Sequence, residues 1–366
     1  MKIHIINKLY FIFLFLIIFI ANDTNKKDLS KQCDTNDIYN FINIHKYKST
    51  HCFNNGPINN FINTYDKNNV YCLKCLKKKK KKNSNCKKCN VTLILNDLKI
   101  FSPQETLDEI IKNNKSISRY GDGEFSLIFG KSIGYQRSNK NLARKLYNVL
   151  KSEEEGLLIG IPDTLNHKFL NNFVDPAKKY WKKWIQKNKL KLLLLNKNKI
   201  YYSSFISRFY IDYKDKSGIK EYIKKLKKIW EQKDVLIIEG EKSRLGIGND
   251  LFDNMKSIQR IICPSINAFR IYNKILDTAL KVEKNKLILI ALGPTASILA
   301  YDLYMAGYQA IDIGHVDIEY EWYLRNTSRK IKIEGKFVNE VKNGKRIINE
   351  VKDKKYYTQI IAKILN

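Results

Sequence analysis

Residues Ser118-Arg119-Tyr120-Gly121-Asp122-Gly123-Glu124-Phe125 place two carboxylates around a glycine, with an arginine close upstream. A short β-like run, Ser116 to Tyr120, leads into them. In an extended strand-to-loop exit, residues i and i+2 point the same way, so Asp122 and Glu124 are expected to converge. Gly123 between them carries no side chain to obstruct a ligand. Paired carboxylates of this kind suit a hard divalent cation that keeps positions open for phosphate oxygens. A solvated acidic turn is the other reading, because Asp-Gly is common turn chemistry.

Three further segments carry groups that could bind or react. Leu287 to Leu292 followed by Gly293-Pro294-Thr295-Ala296 reads as a strand, a turn and a helix start. Pro294 suits the first helical turn, and the free N–H groups there, with the Thr295 hydroxyl, would receive a pyrophosphate; a well-capped helix is the alternative. The Gly-Lys-Ser/Thr of a Walker loop is missing, which argues against ATPase chemistry of that type. Glu239-Gly240-Glu241 and Ser243-Arg244 put acid, base and hydroxyl on one loop, with Asn249-Asp250 read as a helix cap. Arg244 reads either as a bidentate clamp for a diphosphate or as the partner of Glu239 or Glu241 in an ion pair. His315, Asp317, Glu319 and Glu321 share one face if the chain stays extended there. Asp317 or Glu319 is then a general-base candidate for an acceptor hydroxyl, and Tyr320 and Trp322 form either a sugar platform or part of the core.

These residues need a frame to hold them. Short apolar runs at Leu157 to Ile161, Ile200 to Phe205, Val235 to Glu239, Arg260 to Cys263, Leu287 to Leu292 and Ala310 to Ile313 read as strands. Helical patterns lie at Asn141 to Lys151, Ala177 to Lys187, Ile219 to Gln232, Ile266 to Leu280 and Thr295 to Ala306. Continuous apolar strands alternating with helices predict an α/β, Rossmann-like, mostly parallel sheet with helices on both faces. Ligands of such sheets sit beyond the carboxyl ends of the strands. Asp122, Pro162, Glu239, Pro264, Gly293 and Gly314 all fall at those expected ends.

Taken in order, Arg119 to Glu124, Gly160-Ile161-Pro162-Asp163, Ile238 to Phe252 with Cys263 to Ala268, Leu292 to Ala296 and Asp312 to Trp322 resemble the GT-D-fold glycosyltransferases, a family long catalogued as a domain of unknown function. The resemblance runs over roughly residues 92 to 345, and the Asp-X-Glu hallmark of the family falls on Asp122 and Glu124. It implies hexose transfer from a nucleotide-diphosphate sugar, with UDP-glucose the expected donor and a glycan or glycoprotein the acceptor. On that reading Asp122 and Glu124 hold Mn²⁺ or Mg²⁺. Arg119, Arg244, Gly293, Pro294 and Thr295 contact the donor, and Glu239, Asp317 or Glu319 supplies the base. The competing reading is a catalytically degenerate transferase fold that binds a polyanion or a partner protein; the intact carboxylate pair separates the two.

The 366 residues carry 67 Lys+Arg against 36 Asp+Glu, a formal charge of +31, yet no arginine precedes Arg119. Scattered lysine without aromatic-flanked arginine clusters argues against nucleic acid as the partner. Residues 1–21 join Lys2 and Lys8 to an apolar run ending at Ala21, the pattern of a signal peptide or an uncleaved signal anchor. Either predicts residence in the secretory-pathway lumen, with the membrane as a partner if the segment stays. Residues 22–90 read as a largely disordered Lys/Asn-rich stem. In it Cys72, Cys75, Cys86 and Cys89 form two Cys-x2-Cys pairs suited either to disulfides, with Cys33 and Cys52, or to zinc. Residues 91–345 are the expected catalytic domain and 346–366 a helical tail.

Overall fold

The computed structural model describes residues 95–189, 191–344 and 350–366. The leader, the stem and its cysteine pairs lie outside the described residues. Among the described residues nine strands form one sheet: β1 (Lys99–Ile100), β2 (Ser116–Arg119), β3 (Leu157–Ile161), β4 (Ile200–Ser203), β5 (Asp234–Gly240), β6 (Ser257–Cys263), β7 (Leu287–Ala291), β8 (Ala310–Asp312) and β9 (Ile360–Lys363). Their order is β1-β4-β3-β2-β8-β7-β5-β6-β9, and every pairing is parallel. Parallel strands need crossovers, and helices supply most of them, so both sheet faces are covered. Strands β3 and β7 are accordingly buried at every position.

The helices are α1 (Pro103–Lys112), α2 (Asp122–Ile128), α3 (Lys140–Lys151), α4 (Asp175–Asn188), α5 (Ile219–Lys227), α6 (Tyr272–Ala279), α7 (Pro294–Met305), α8 (Val316–Leu324) and α9 (Lys354–Thr358). Local chemistry sets their starts. Ser102 and Glu105 form a capping box ahead of α1, with Pro103 as its first residue. The Asn139 side chain accepts from Asn141 and Leu142 N–H at the start of α3. Helix α3 buries Leu142, Ala143, Leu146, Val149 and Leu150, the stripe of a one-sided helix. Helix α7 is buried nearly all round, from Pro294 to Ala300 and at Leu303, because it lies against β2, β7 and β8 with α3 and α6 packed beside it. On the opposite face α1, α5 and α8 share the main core, with Leu107, Ile110, Leu226, Trp230 and Trp322 all sealed.

The C-terminal segment departs from the expected helical tail. It holds only the short α9 before β9 joins the free edge of β6. Arg260 is the reason: its backbone N–H donates to Gln359 O (2.7 Å), its Nε to Gln359 Oε1 (2.7 Å), and its guanidinium lies over the Tyr356 ring. The unpaired edge of β6 and the apolar Ile360, Ala362 and Ile364 satisfy one another. Among the described residues no helix is long and apolar enough to cross a membrane.

Candidate active site

Strands β2 and β7 leave the sheet toward the face that carries α3, α6 and α7, whereas β8 between them leads into α8 on the other face. Divergent exits open a crevice at the carboxyl ends of neighbouring strands, the usual ligand position in open α/β sheets. Asp122, Gly293 and Gly314 begin the three exits.

Asp122 and Glu124 lie in the first turn of α2, not on the expected extended exit. Asp122 is the first residue of α2 and Glu124 the third, so helical geometry would turn their side chains apart. Glu124 instead folds back over the helix start and accepts from Gly121 N–H (2.7 Å), at the same end of α2 as Asp122. Burial pushes the Glu124 carboxyl up to about 7 against the pull of that bond. Asp122 accepts from the Tyr180 hydroxyl of α4 (2.5 Å). The Tyr135 ring lies against Gly293 and its hydroxyl close to Gly123, near enough that a Cβ on Gly293 would approach ring carbon Cε2 to 2.8 Å. Gly293, at φ +54°, is thus required by both its backbone and its neighbour. Pro294 and Thr295 open α7, and Thr295 Oγ1 is buried with no hydrogen-bond partner.

The other predicted residues occupy different settings. Arg119 is fully engaged: Nε and Nη2 donate to Asp312 O and Oδ1 (2.6 and 2.8 Å), and Nη1 to Ser204 O and Ser207 Oγ (2.8 and 2.7 Å). It binds the ends of β2, β4 and β8 together and has little capacity left for a donor. A Cβ on Gly314, itself at φ +44°, would collide with Arg119 Nη2. Gly314→Ala is therefore expected to cost about 1–3 kcal/mol of stability through overpacking and backbone strain, readable as a lowered urea midpoint. An unchanged midpoint would show that the Arg119 web relaxes freely.

Glu239 lies inside β5 rather than past it, with Oε1 paired to Arg260 (2.5 Å) and Oε2 accepting from Leu245 N–H (2.8 Å). Both partners are buried, so Glu239 holds the β5–β6 loop and no acceptor reaches it. The His315 to Glu321 stretch is helical, not extended, because α8 takes it into the core. Asp317 and Glu321 share the buried Lys336 (2.7 and 2.9 Å) and the Asn249 amide, so the Asn249 amide bridges to α8, while its carbonyl accepts from Leu251 N–H. Tyr320 and Trp322 are core residues. Glu319 accepts from Tyr210 and Ile211 N–H (both 3.0 Å) through Oε2, and its Oε1 is unpartnered. Arg244 donates to Gly335 O (3.0 Å) and to neither glutamate, because Arg260 has taken Glu239. Cys263 is buried and free, as a small apolar residue.

Burial pushes Glu319 and Asp163 up to about 7 from 4.5 and 3.8. A carboxyl raised on folding contributes stability that is present below its unfolded value and lost as pH rises through its folded value. The chain should therefore lose these contributions between about pH 4.5 and 7, and Glu319→Gln should flatten that part of the melting-temperature profile. Parallel profiles for variant and wild type would contradict the assignment.

A group that sequence reasoning missed completes the crevice. Arg208 follows β4 and pairs with Glu340 (2.8 Å); His315 Nε2 stands 3.6 Å and Lys330 Nζ 3.7 Å from the same carboxylate. Arg119 ties the ends of β2, β4 and β8 together, so Arg208 beyond β4 and His315 beyond β8 lie at the same strand ends as Asp122 beyond β2. Arg208 lies in Ser207-Arg208-Phe209-Tyr210-Ile211-Asp212-Tyr213, where its only sequence signal was a rare arginine just beyond a predicted strand.

A family model described as the glycosyltransferase GT-D fold matches residues 117–341. This chain belongs to the GT-D glycosyltransferase fold family. The GT-D chain is 40% identical over 273 residues to glycosyltransferase GlyD of Streptococcus pneumoniae, a span of 74% of this chain and 33% of that protein. It is likewise 40% identical over 268 residues to a probable glycosyl transferase Gly of Streptococcus gordonii, covering 73% and 39%. The match thus spans between a third and two fifths of these curated relatives. Among solved structures, domain of unknown function 1792, described as having a distinct glycosyltransferase fold, matches with TM-score 0.71 at 40% identity, over 75% of this chain and 99% of that one. A DUF1792 glycosyltransferase from Streptococcus sanguinis matches with TM-score 0.69 at 38% identity, over 73% and 99%. The match covers those solved domains almost completely.

Proposed function

We propose that this chain is a metal-assisted glycosyltransferase that moves a hexose from a nucleotide-diphosphate sugar, UDP-glucose the favoured donor, to a hydroxyl of a glycan or glycoprotein. The observation that carries the reading is the Asp122/Glu124 pair facing the α7 start across a strand-end crevice, in a chain of this family. Two hard oxygen donors fit Mn²⁺ or Mg²⁺, and among the described residues no third His, Cys, Asp or Glu joins them. A two-carboxylate site of that kind draws its other ligands from phosphate and water. Bound there, the cation would supply charge neutralisation for the departing diphosphate.

The chain's own groups do the positioning. At the start of α7, Pro294 has no N–H and Ala296 N–H bonds Gly293 O, so the Thr295 N–H and its partnerless hydroxyl are the groups left for phosphate oxygens. Tyr135 lies against Gly123 and Gly293, and Tyr180 donates its hydroxyl to Asp122, so both rings position that end of the site. Of the three base candidates, Glu239 and Asp317 are neutralised by Arg260 and Lys336, and Glu319 keeps one oxygen free beneath Tyr210 and Ile211. Glu319 is the base in this reading, which requires that its buried Oε1 be uncovered when the acceptor binds. Residence in the secretory lumen, with the N-terminal segment as leader or anchor, belongs to the same proposal.

Purified protein incubated with UDP-sugars and Mn²⁺ should release UDP, fastest from UDP-glucose. No turnover of any common nucleotide sugar, together with no donor-induced rise in melting temperature, would sink the proposal.

A further inference from the structure

The convergence of Arg208, His315 and Lys330 on Glu340 is left over from the mechanism above. Three nitrogens from three separate segments meet one carboxylate at the strand ends, in the crevice that also holds Asp122. Lys330 bonds Asp212 as well (3.1 Å), so Arg208 is the cation whose acidic partner is Glu340. This pair is not sealed like Glu239–Arg260: the two side chains are 28% and 23% exposed, against 0% and 2%. The pair is partly buried yet still open to solvent at the strand ends, where an incoming anion can reach it. His315 Nδ1 is buried without a partner, so the bay has an unused polar group as well.

Glu340 also sits where it can move. The segment that carries it is fixed upstream by buried Lys336 and Val338, by Phe337 N–H on Lys242 O, and by Gly335 O on Arg244. Beyond Val338 the chain returns to the surface, and rotation of the Glu340 side chain would clear the bay without disturbing those anchors. A guanidinium presents one fork to a carboxylate or to two phosphate oxygens, so one can replace the other with no change in Arg208.

We propose that Arg208, Lys330 and His315 form the anion site for the donor's diphosphate, and that Glu340 is an internal stand-in which the incoming diphosphate displaces. The proposal rests on the nucleotide-sugar reading and adds the residue that grips the donor and the one that competes with it. A built-in competitor lowers apparent affinity by the fraction of time it holds the site, so its removal must tighten donor binding.

The test is calorimetric titration of UDP, with and without Mn²⁺, into wild type, Glu340→Gln, Arg208→Gln and the double variant, each checked by its melting temperature. Glu340→Gln should tighten UDP about threefold to tenfold, and Arg208→Gln should weaken it about tenfold or more. The double variant should match Arg208→Gln, since Glu340 competes only through Arg208. Where Arg208→Gln fails to fold, Arg208→Lys takes its place with the same expected direction. Wild-type UDP binding that ignores both substitutions overturns this inference and leaves the transferase reading standing. So does an unchanged or weakened affinity in Glu340→Gln. A wild type that binds neither UDP nor any other nucleoside diphosphate overturns both.

Discussion

Asp122→Asn is expected to lower sugar transfer about 100-fold or more, the scale on which removing one preorganised charge-stabilising group acts, while the melting temperature barely moves. Asparagine keeps the shape and can still accept from the Tyr180 hydroxyl, so the fold around α2 loses little. What disappears is half of the negative charge that would hold the cation. Glu124→Gln should have a similar effect on turnover, with a clearer cost in stability or a gain, because its carboxylate both caps α2 and is costly to bury. Initial rates across a Mn²⁺ titration, measured beside thermal melts, decide the matter. Near-normal metal-dependent rates in both variants would remove the pair from the site.

Arg260→Met is expected to be the most destabilising single change, at about 3–5 kcal/mol, the usual consequence of stranding a buried charge. It leaves Glu239 buried with only Leu245 N–H as partner, frees Leu245 O, and removes the side-chain contacts that pin α9 and β9. Pairing it with Glu239→Gln should restore part of the loss, since the stranded group is then neutral. Urea unfolding of the two single variants and the double gives the coupling. If Glu239→Gln alone stops transfer but leaves the midpoint in place, Glu239 is chemical after all and the structural assignment fails.

The sheet was legible because parallel strands buried on both faces are written as plain apolar runs. Leu157 to Ile161 and Leu287 to Ala291 carry no polar residue for alternation to blur. The strand-end motifs followed from that. What could not be read was the set of partners. Glu239 and Arg260 are 21 residues apart in sequence and meet only because β5 and β6 pair in register, and no local pattern marks one as the answer to the other. The His315 to Glu321 stretch suffered from the same gap: read as extended it is an acidic face, whereas as α8 its Asp317 and Glu321 point to a lysine on a later segment. The edge strand β9 was hidden because a few apolar residues near a basic, lysine-rich tail suit a helix equally well until the edge of β6 is known.

Strand β2 leads into Asp122 and Glu124 and is completed on its second side only by β8, with Ile117 opposite Ile311. The two strands lie 194 residues apart where Ala310 N–H meets Ser116 Oγ. A ribosome adding about 5–20 residues per second needs roughly 10–40 s to cover that distance. During that time β1, β4, β3 and β2 can assemble, but one edge of β2 stays open, with its backbone donors exposed beside Asp122 and Glu124. The segment that leads into Asp122 and Glu124 is thus the one whose protection during synthesis waits on almost the entire remainder of the domain.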